Sequence, residues 1–381
     1  MRSFWVLTHK YIGLFLGLLL SVTGVSGSLI VFDRELDELI APETADFPYA
    51  EQLASFDLAL ANATEAVGND SVPTRIALGR HGGAPHIVRF PARDGGVGPL
   101  EVSIDPGSAQ VLAIRGWGEY PVTWLYRLHM SLMGGERGEL LVGLMGFAMV
   151  FFCLSGLYIW WPRGGGRVWR KALTMTTKKG VFRTNYDLHK TIGVYFLPVF
   201  LVLGITGIEI VWHEPFERVV ASVLPVDPDN APQSQSQSQS QSQELPSVTV
   251  DRVAASAQAQ YPLARIQRIY FPADTNAVFR VTVSHPEEVW NEYSTTTVNV
   301  DQYSGVVISV RDGRNVAAGN IFLDWMFPLH NGDGLGIFGR ILVFIAGLLP
   351  AILFVSGTYM WWYKRRANLR RVQNECSPAL Q

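Results

Sequence analysis

The distribution of apolar residues divides the chain into two kinds of segment. Four apolar runs, about 4–32, 139–162, 189–213 and 337–363, are long. Each reaches or exceeds the roughly 20 residues a helix needs to cross a bilayer. Between the first and second runs, and again between the third and fourth, shorter patterns appear. An amphipathic helix at 55–67 precedes alternating strands near 75–79, 86–91, 100–105 and 110–114, with Asp105-Pro106-Gly107 as a hairpin turn. A second copy places a helix near 249–260 and strands near 265–271, 277–283, 295–301 and 306–311, with Asp301 to Gly305 at the matching turn. The strict Ser/Gln alternation at 233–243 has nothing apolar to bury and reads as a disordered spacer.

The long runs repeat as well. At an offset of 180, His9, Lys10, Ile12, Gly13, Gly24 and Gly27 match His189, Lys190, Ile192, Gly193, Gly204 and Gly207. At 201, Leu128, His129, Gly135, Gly138, Gly146, Ser155, Gly156, Tyr158, Trp160 and Trp161 find their counterparts from Leu329 to Trp362. Each half therefore runs span, folded segment, histidine turn, span. Both halves start on the same side, which predicts parallel repeats about an axis along the membrane normal. The first run, preceded by Arg2, has small residues near its end like a signal peptide. Its length and its match to the third run predict a retained span.

Charge gives this arrangement an orientation. The 163–188 loop, the 364–381 tail, Arg2, Lys10 and Lys190 carry 15 basic residues against two acidic ones, Asp187 and Glu375. By the bias of basic residues toward the cytoplasm, the termini and middle loop face inward, and 33–138 and 214–336 face outward. The net charge of −2 conceals this polarity, and nothing points to nucleic acid. The two cysteines, Cys153 and Cys376, lie outside both outer segments. These segments have no disulfide or thiolate metal site and must fold on hydrophobic cores alone.

Histidine carries the candidate chemistry. Ionisable groups at a membrane boundary are costly and functional by default. Four histidines in two matched pairs, in a chain almost without cysteine, point to bound haem. Two neutral imidazoles give a six-coordinate iron suited to electron transfer. His9 and His189 form an inner pair, with Gly13 and Gly193 one turn deeper making room for a flat macrocycle. His129 and His330 form an outer pair, each several residues before its apolar run, so the turn must fold back or the helix must start early. The bland alternatives are interfacial anchors with packing glycines for the inner pair and helix-capping histidines for the outer. His213 ends the third run opposite Asp33 in the repeat; it either replaces an outer ligand or lines a substrate site. His81, His86 and His285 read as surface histidines. Trp117, Tyr120, Trp124 and Trp325 flank the outer histidines as an aromatic belt or as a shelf for an apolar chelate. Met130, Met133 and Met326 read as packing rather than axial thioethers.

The HKxIG span starts, the SGxYxWW endings (Ser155–Trp161, Ser356–Trp362) and the paired β-rich segments resemble the PepSY-associated transmembrane proteins of Gram-negative bacteria. The resemblance covers nearly the whole chain. Within that family it is similar to the short, four-span inner-membrane siderophore reductases of the ferrioxamine type. The resemblance implies four transmembrane helices with two periplasmic α+β PepSY-like domains. It also implies two haems b, a ferric siderophore of hydroxamate type as acceptor, and a membrane quinol or cytoplasmic reductase as donor. A siderophore permease and a non-enzymatic regulator of a peptidase are the alternatives.

Overall fold

The computed structural model describes residues 1–42, 52–80, 83–176, 180–228, 232–234, 248–288 and 294–376, with side chains to 372. The first half runs α1 (Arg2–Ile30), α2 (Asp33–Ile40), α3 (Phe56–Val67), β1 (Arg75–Ala77), β2 (His86–Phe90), β3 (Leu100–Ile104), β4 (Val111–Gly116), α4 (Pro121–Ser131), α5 (Gly135–Trp160) and α6 (Gly166–Leu173). The second runs α7 (Val181–Tyr195), α8 (Leu197–Val211), α9 (His213–Ala221), α10 (Val250–Gln260), β5 (Arg265–Tyr270), β6 (Phe279–Ser284), β7 (Thr296–Val300), β8 (Val307–Arg311), α11 (Ala318–Asp324), α12 (Met326–Asn331) and α13 (Gly336–Cys376). The chain separates into two compact units. One is helical, made of Met1–Val31, Leu125–Phe216 and Leu329–Gln381; the other comprises Phe32–Trp124 and Glu217–Pro328.

In the helical unit, α1, α5 and a stretch within 333–372 are each long and apolar enough to cross a membrane. A fourth span exists if α7 and α8 count as one, bent by 60°. This departs from the expected continuous helix at 189–213. Helix α7 begins eight residues earlier, and the chain breaks at Phe196, just before Pro198 in the first turn of α8. Proline has no amide to donate and its ring clashes with the preceding turn, so a helix restarts there more readily than it continues. Pro350, by contrast, sits within α13 without ending it. The basic loop and tail contain helix, since α6 starts at Gly166 and α13 continues to Cys376.

Close packing in this unit depends on small residues, as expected where lipid leaves little hydrophobic drive between helices. A Cβ at Gly24 would lie 2.4 Å from the Gly347 carbonyl, and one at Gly146 would lie 2.9 Å from that of Gly204. The Ser28 hydroxyl crosses from α1 to donate to the Phe344 carbonyl of α13 at 2.7 Å.

The other unit contains one antiparallel sheet in the order β4-β3-β2-β1-β5-β6-β7-β8. The expected two outer domains therefore share a sheet, joined where β1 pairs with β5 through Ile76 and Ile269. Each copy alone would leave this strand as an unpaired edge, and the pairing removes both edges at once. Val88, Phe90, Val102 and Ile104 from one copy and Val281, Val283, Val298 and Val300 from the other are buried in a single core under α3 and α10. Burying each such side chain contributes about 1.5–3 kcal/mol. The register shifts at Ser103/Ile104 in one copy and at Asn299/Val300 in the other, so the repeat extends to its irregularities.

The same symmetry ties the two helices together. The Asp251 carboxylate accepts from the amides of Phe56 (2.8 Å) and Asp57 (3.3 Å) at the start of α3. Asp57 returns the arrangement to Val250 (2.7 Å) and Asp251 (3.3 Å) at the start of α10. Ser55 and Thr249 cap the next amides of their own helices. The Ser/Gln spacer falls almost wholly outside the described residues, as does His81.

Two histidines read as surface residues are in fact buried. His86 and His285 are 5% and 4% exposed. His86 occupies an inward position of β2, where its Nδ1 accepts from the Gly79 amide at 2.9 Å. His285 lies edge-on to Tyr261 and within 3.2 Å of the Thr296 hydroxyl.

Candidate functional site

The four repeated histidines all belong to the helical unit, and in each the Nδ1 atom is engaged. On α1, His9 Nδ1 lies 2.8 Å from Ser155 Oγ of α5. On α7, His189 Nδ1 lies 2.8 Å from Ser356 Oγ of α13. Ser155 donates its hydroxyl proton to the Phe151 carbonyl at 2.7 Å, and Ser356 donates to that of Leu353 at 3.0 Å. A hydroxyl has one proton, so each serine accepts from an Nδ1–H.

The outer pair follows the same logic. His129 on α4 donates to the Thr23 carbonyl at 2.8 Å, an acceptor with no alternative role. His330 on α12 meets Thr206 Oγ1 at 2.8 Å, and that hydroxyl donates to the Val202 carbonyl at 2.8 Å. In all four rings the proton sits on Nδ1, which leaves Nε2 with a lone pair. A hydrogen bond at one imidazole nitrogen fixes the tautomer and orientation needed for ligation through the other.

Glycines let these rings approach neighbouring helices. A Cβ on Gly156 or Gly357 would lie 3.5 Å from His9 or His189 Cε1. Gly207 bears the same relation to His330 at 3.5 Å, whereas Gly27 is closer, with its Cβ position 2.6 Å from His129 Cε1. One turn deeper than the inner histidines, a Cβ at Gly193 would meet nothing within 4 Å, and one at Gly13 only Phe152 at 3.8 Å.

Of the pairs expected from the repeat, the outer one comes together. His129 and His330 have ring centroids 6.1 Å apart, tilted by 53°. With metal–nitrogen bonds of about 2 Å, rings so spaced can bind one metal between them. His9 lies within electrostatic range of His189. The doubt over the outer pair's sequence position is resolved by α4 and α12, short helices that fold each histidine back onto α1 or α8. No cluster of three or more His, Cys, Asp or Glu suited to a metal ion occurs among the described residues.

The remaining candidates have contacts of their own. His213 pairs through Nδ1 with Glu209 at 2.5 Å, and its side chain is 58% exposed. Tyr120 donates its hydroxyl to Glu101 at 2.8 Å and lies under the Arg115 guanidinium, 4.1 Å from the ring centre. That makes it part of the sheet unit's polar packing rather than an open shelf. Trp117 packs on Gly98, Trp124 is 43% exposed and Trp325 is half-buried. Met326 is buried. An apolar cavity of about 330 Å³ runs along α1 and α4, lined by Ser21, Val25, Ser26, Leu125 and Leu128, the last preceding His129.

Sequence reasoning missed Ser155, Ser356, Thr206, Thr23 and Glu209. The two serines were visible as repeated SG pairs, but nothing in the sequence said that they face histidines. At the repeat position of Thr206 the first half has Ser26, whose hydroxyl meets the Val22 and Thr23 carbonyls of its own helix.

The chain belongs to the PepSY-associated TM region family, which matches residues 6–364. An uncharacterized protein of Pseudomonas aeruginosa is 35% identical over 83 residues, 22% of this chain and 20% of the relative. The match thus spans a fifth of that relative's length. The chain is a membrane protein of this family.

Proposed function

From this membership we propose a four-span, di-haem b oxidoreductase of the bacterial inner membrane that reduces ferric siderophores, of hydroxamate type, on the periplasmic side. The observation that carries the reading is the state of the four imidazoles: each is fixed by an Nδ1 hydrogen bond and presents a free Nε2 lone pair. A two-ligand site suits a metal that brings its own equatorial ligands, as haem iron does. The unobstructed positions at Gly13 and Gly193 suit a flat group beside the inner pair. When bound, haem supplies a reversible one-electron Fe(III)/Fe(II) couple.

His9 and His189 would hold the inner group and His129 and His330 the outer one, while the serine, threonine and carbonyl partners fix ring orientation. The bent α7–α8 pair is the third span, and the basic α6 and α13 extension face the cytoplasm. Electrons would enter from membrane quinol or a cytoplasmic reductase. Reduction of a siderophore's Fe(III) lowers the charge on a hard metal and weakens its bonds to oxygen ligands.

The test is a visible spectrum and haem assay of the purified chain. Two b-type haems per chain are expected, falling to about one in any single His→Ala variant of the four. A chain without haem ends the reading. If haem is present, a ferric hydroxamate should reoxidise the reduced protein, and no reoxidation would point to a different acceptor.

A further inference from the structure

Glu209 lies within the apolar run of α8, yet it is 5% exposed and its task is unassigned by the reading above. It is three residues from Thr206, the residue that holds His330, and so lies on the same face of the helix. One Glu209 carboxylate oxygen is 2.5 Å from His213 Nδ1, and the His213 ring is mostly exposed. The dyad thus links a buried carboxyl beside the His330 face to the outside of the unit. At the offset of 180 the first half has Leu29 and Asp33, so this link exists once.

We propose that Glu209 and His213 are a proton relay serving the outer histidine pair. This proposal rests on the electron-transfer reading above. An electron placed in a buried, low-dielectric site is costly unless a compensating charge accompanies it. Glu209 takes up one proton when the outer site gains one electron, and His213 passes that proton in from water. When the electron leaves, the proton leaves with it. The ferric chelate gains one electron, its iron becomes Fe(II), and the proton neutralises one chelator oxygen as the iron–oxygen bond breaks. Electron and proton are both accounted for, and no other reactant is needed.

Helix α5 meets α8 through Gly143, Gly146 and Val150, none of them titratable. The titratable group that α12 brings to α8 is His330. Glu139, one turn before Gly143, Glu214, next to His213, and Glu217, one turn further along α9, are the nearby carboxylates in sequence.

The test compares wild type and Glu209→Gln, first by haem content and then by redox titration across pH. Gln keeps an oxygen to accept from Nδ1–H, so a purely structural staple would survive the change. Both proteins should hold two haems. In wild type the midpoint potential of one haem should fall by up to about 59 mV per pH unit, the value for one proton per electron. In Glu209→Gln that dependence should vanish while the other haem is unmoved. A slope that survives in Glu209→Gln, or no slope in wild type, overturns the relay. If Glu209→Gln fails to retain haem, His213→Gln alters only the exposed partner. Proton uptake on reduction, followed with an indicator dye, should then slow by about tenfold or more. Unchanged uptake overturns the relay. Absence of haem from wild type instead overturns the parent reading.

Discussion

The two halves of the helical unit agree where they hold imidazoles and differ along the helices that carry them. Helix α1 runs unbroken from Arg2 to Ile30, whereas its counterpart is split at Phe196 into α7 and α8. Leu16 and Leu18 in one half stand where Phe196 and Pro198 stand in the other. Ser155 and Ser356 hold the inner histidines identically, and the outer ones each meet a carbonyl at the same repeat position, Thr23 or Leu203, with the Thr206 hydroxyl added at His330. The shared features are those a symmetric two-ligand site needs twice. The unshared ones, the bend and the Glu209–His213 dyad, are what would give an otherwise symmetric pair of sites a direction.

The largest contrast between halves should come from one methyl group. A Cβ at Gly27 would lie 2.6 Å from His129 Cε1 and 2.8 Å from Nδ1, closer than atoms tolerate, so the ring must move off the Thr23 carbonyl. At the matched Gly207 the nearest His330 atom would be 3.5 Å away, an ordinary contact. Losing an orienting partner typically costs about 10–100-fold in metal affinity or activity. With haem held as proposed, Gly27→Ala should therefore weaken its retention at the outer histidines by at least about tenfold. Gly207→Ala should change it by less than about twofold, within ordinary packing tolerance. Haem retained per chain after extended washing is the measurement. Equal losses in the two variants would mean that the difference in packing has no consequence at the site.

Much of this arrangement was legible in the sequence because it repeats. Offsets of 180 and 201 match His9 with His189 and His129 with His330. Alternation placed the strands of β2, β3, β6 and β7 within about two residues, since one face of each strand is buried. What stayed hidden was interaction between segments far apart in the chain. Nothing in β1 or β5 announces that Ile76 will pair with Ile269 and fuse two copies into one sheet. His86 and His285 looked like surface residues because polarity is a prior about burial, and a single hydrogen bond to Gly79 or Thr296 overrides it. Glu209 escaped notice because one carboxyl in an apolar run only acquires meaning once His330 is seen to rest on the same helix.

The sheet unit offers a second contrast of intermediate size. His86 pairs with Ile104 at the start of β2, and Phe279 holds the equivalent place opposite Val300 in β6. Burial pushes the His86 imidazole down to about 4, against a smaller upward pull from Asp105. A folded-state value below the ordinary 6.5 means that the unfolded chain binds the extra proton first. Stability from this residue is thus fully present above about pH 6.5 and lost as pH falls toward 4, by roughly 3 kcal/mol. His86→Phe, which copies the second half, should remove that loss. It should also cost about 1 kcal/mol at neutral pH, because the Gly79 amide loses its acceptor. Amide hydrogen exchange in β1–β4 at about pH 7 and pH 4.5 reads both effects. Protection in wild type that does not fall with pH relative to His86→Phe would exclude a neutral buried imidazole.

The smallest effect is expected where the two copies should behave alike. Asp57 and Asp251 each hold the first two amides of the other copy's helix, at matching distances. These amides point outward from a helix start and lack intrahelical partners, and the carboxylate also complements the positive end of the helix dipole. Removing such a cap costs about 0.5–2 kcal/mol. Asp57→Ala and Asp251→Ala should therefore destabilise the sheet unit by similar amounts, about 1 kcal/mol each. The double variant should lose more than the sum of the two, because burial and the adjacent Asp251 carboxylate raise the Asp57 carboxyl, and each single change relieves that repulsion whereas the double can relieve it only once. Removing one charge relieves its neighbour. Denaturant titration of the four proteins of this cycle measures it. Single losses that differ by more than about 1 kcal/mol would show that the joint between the copies is symmetric in shape but not in energy.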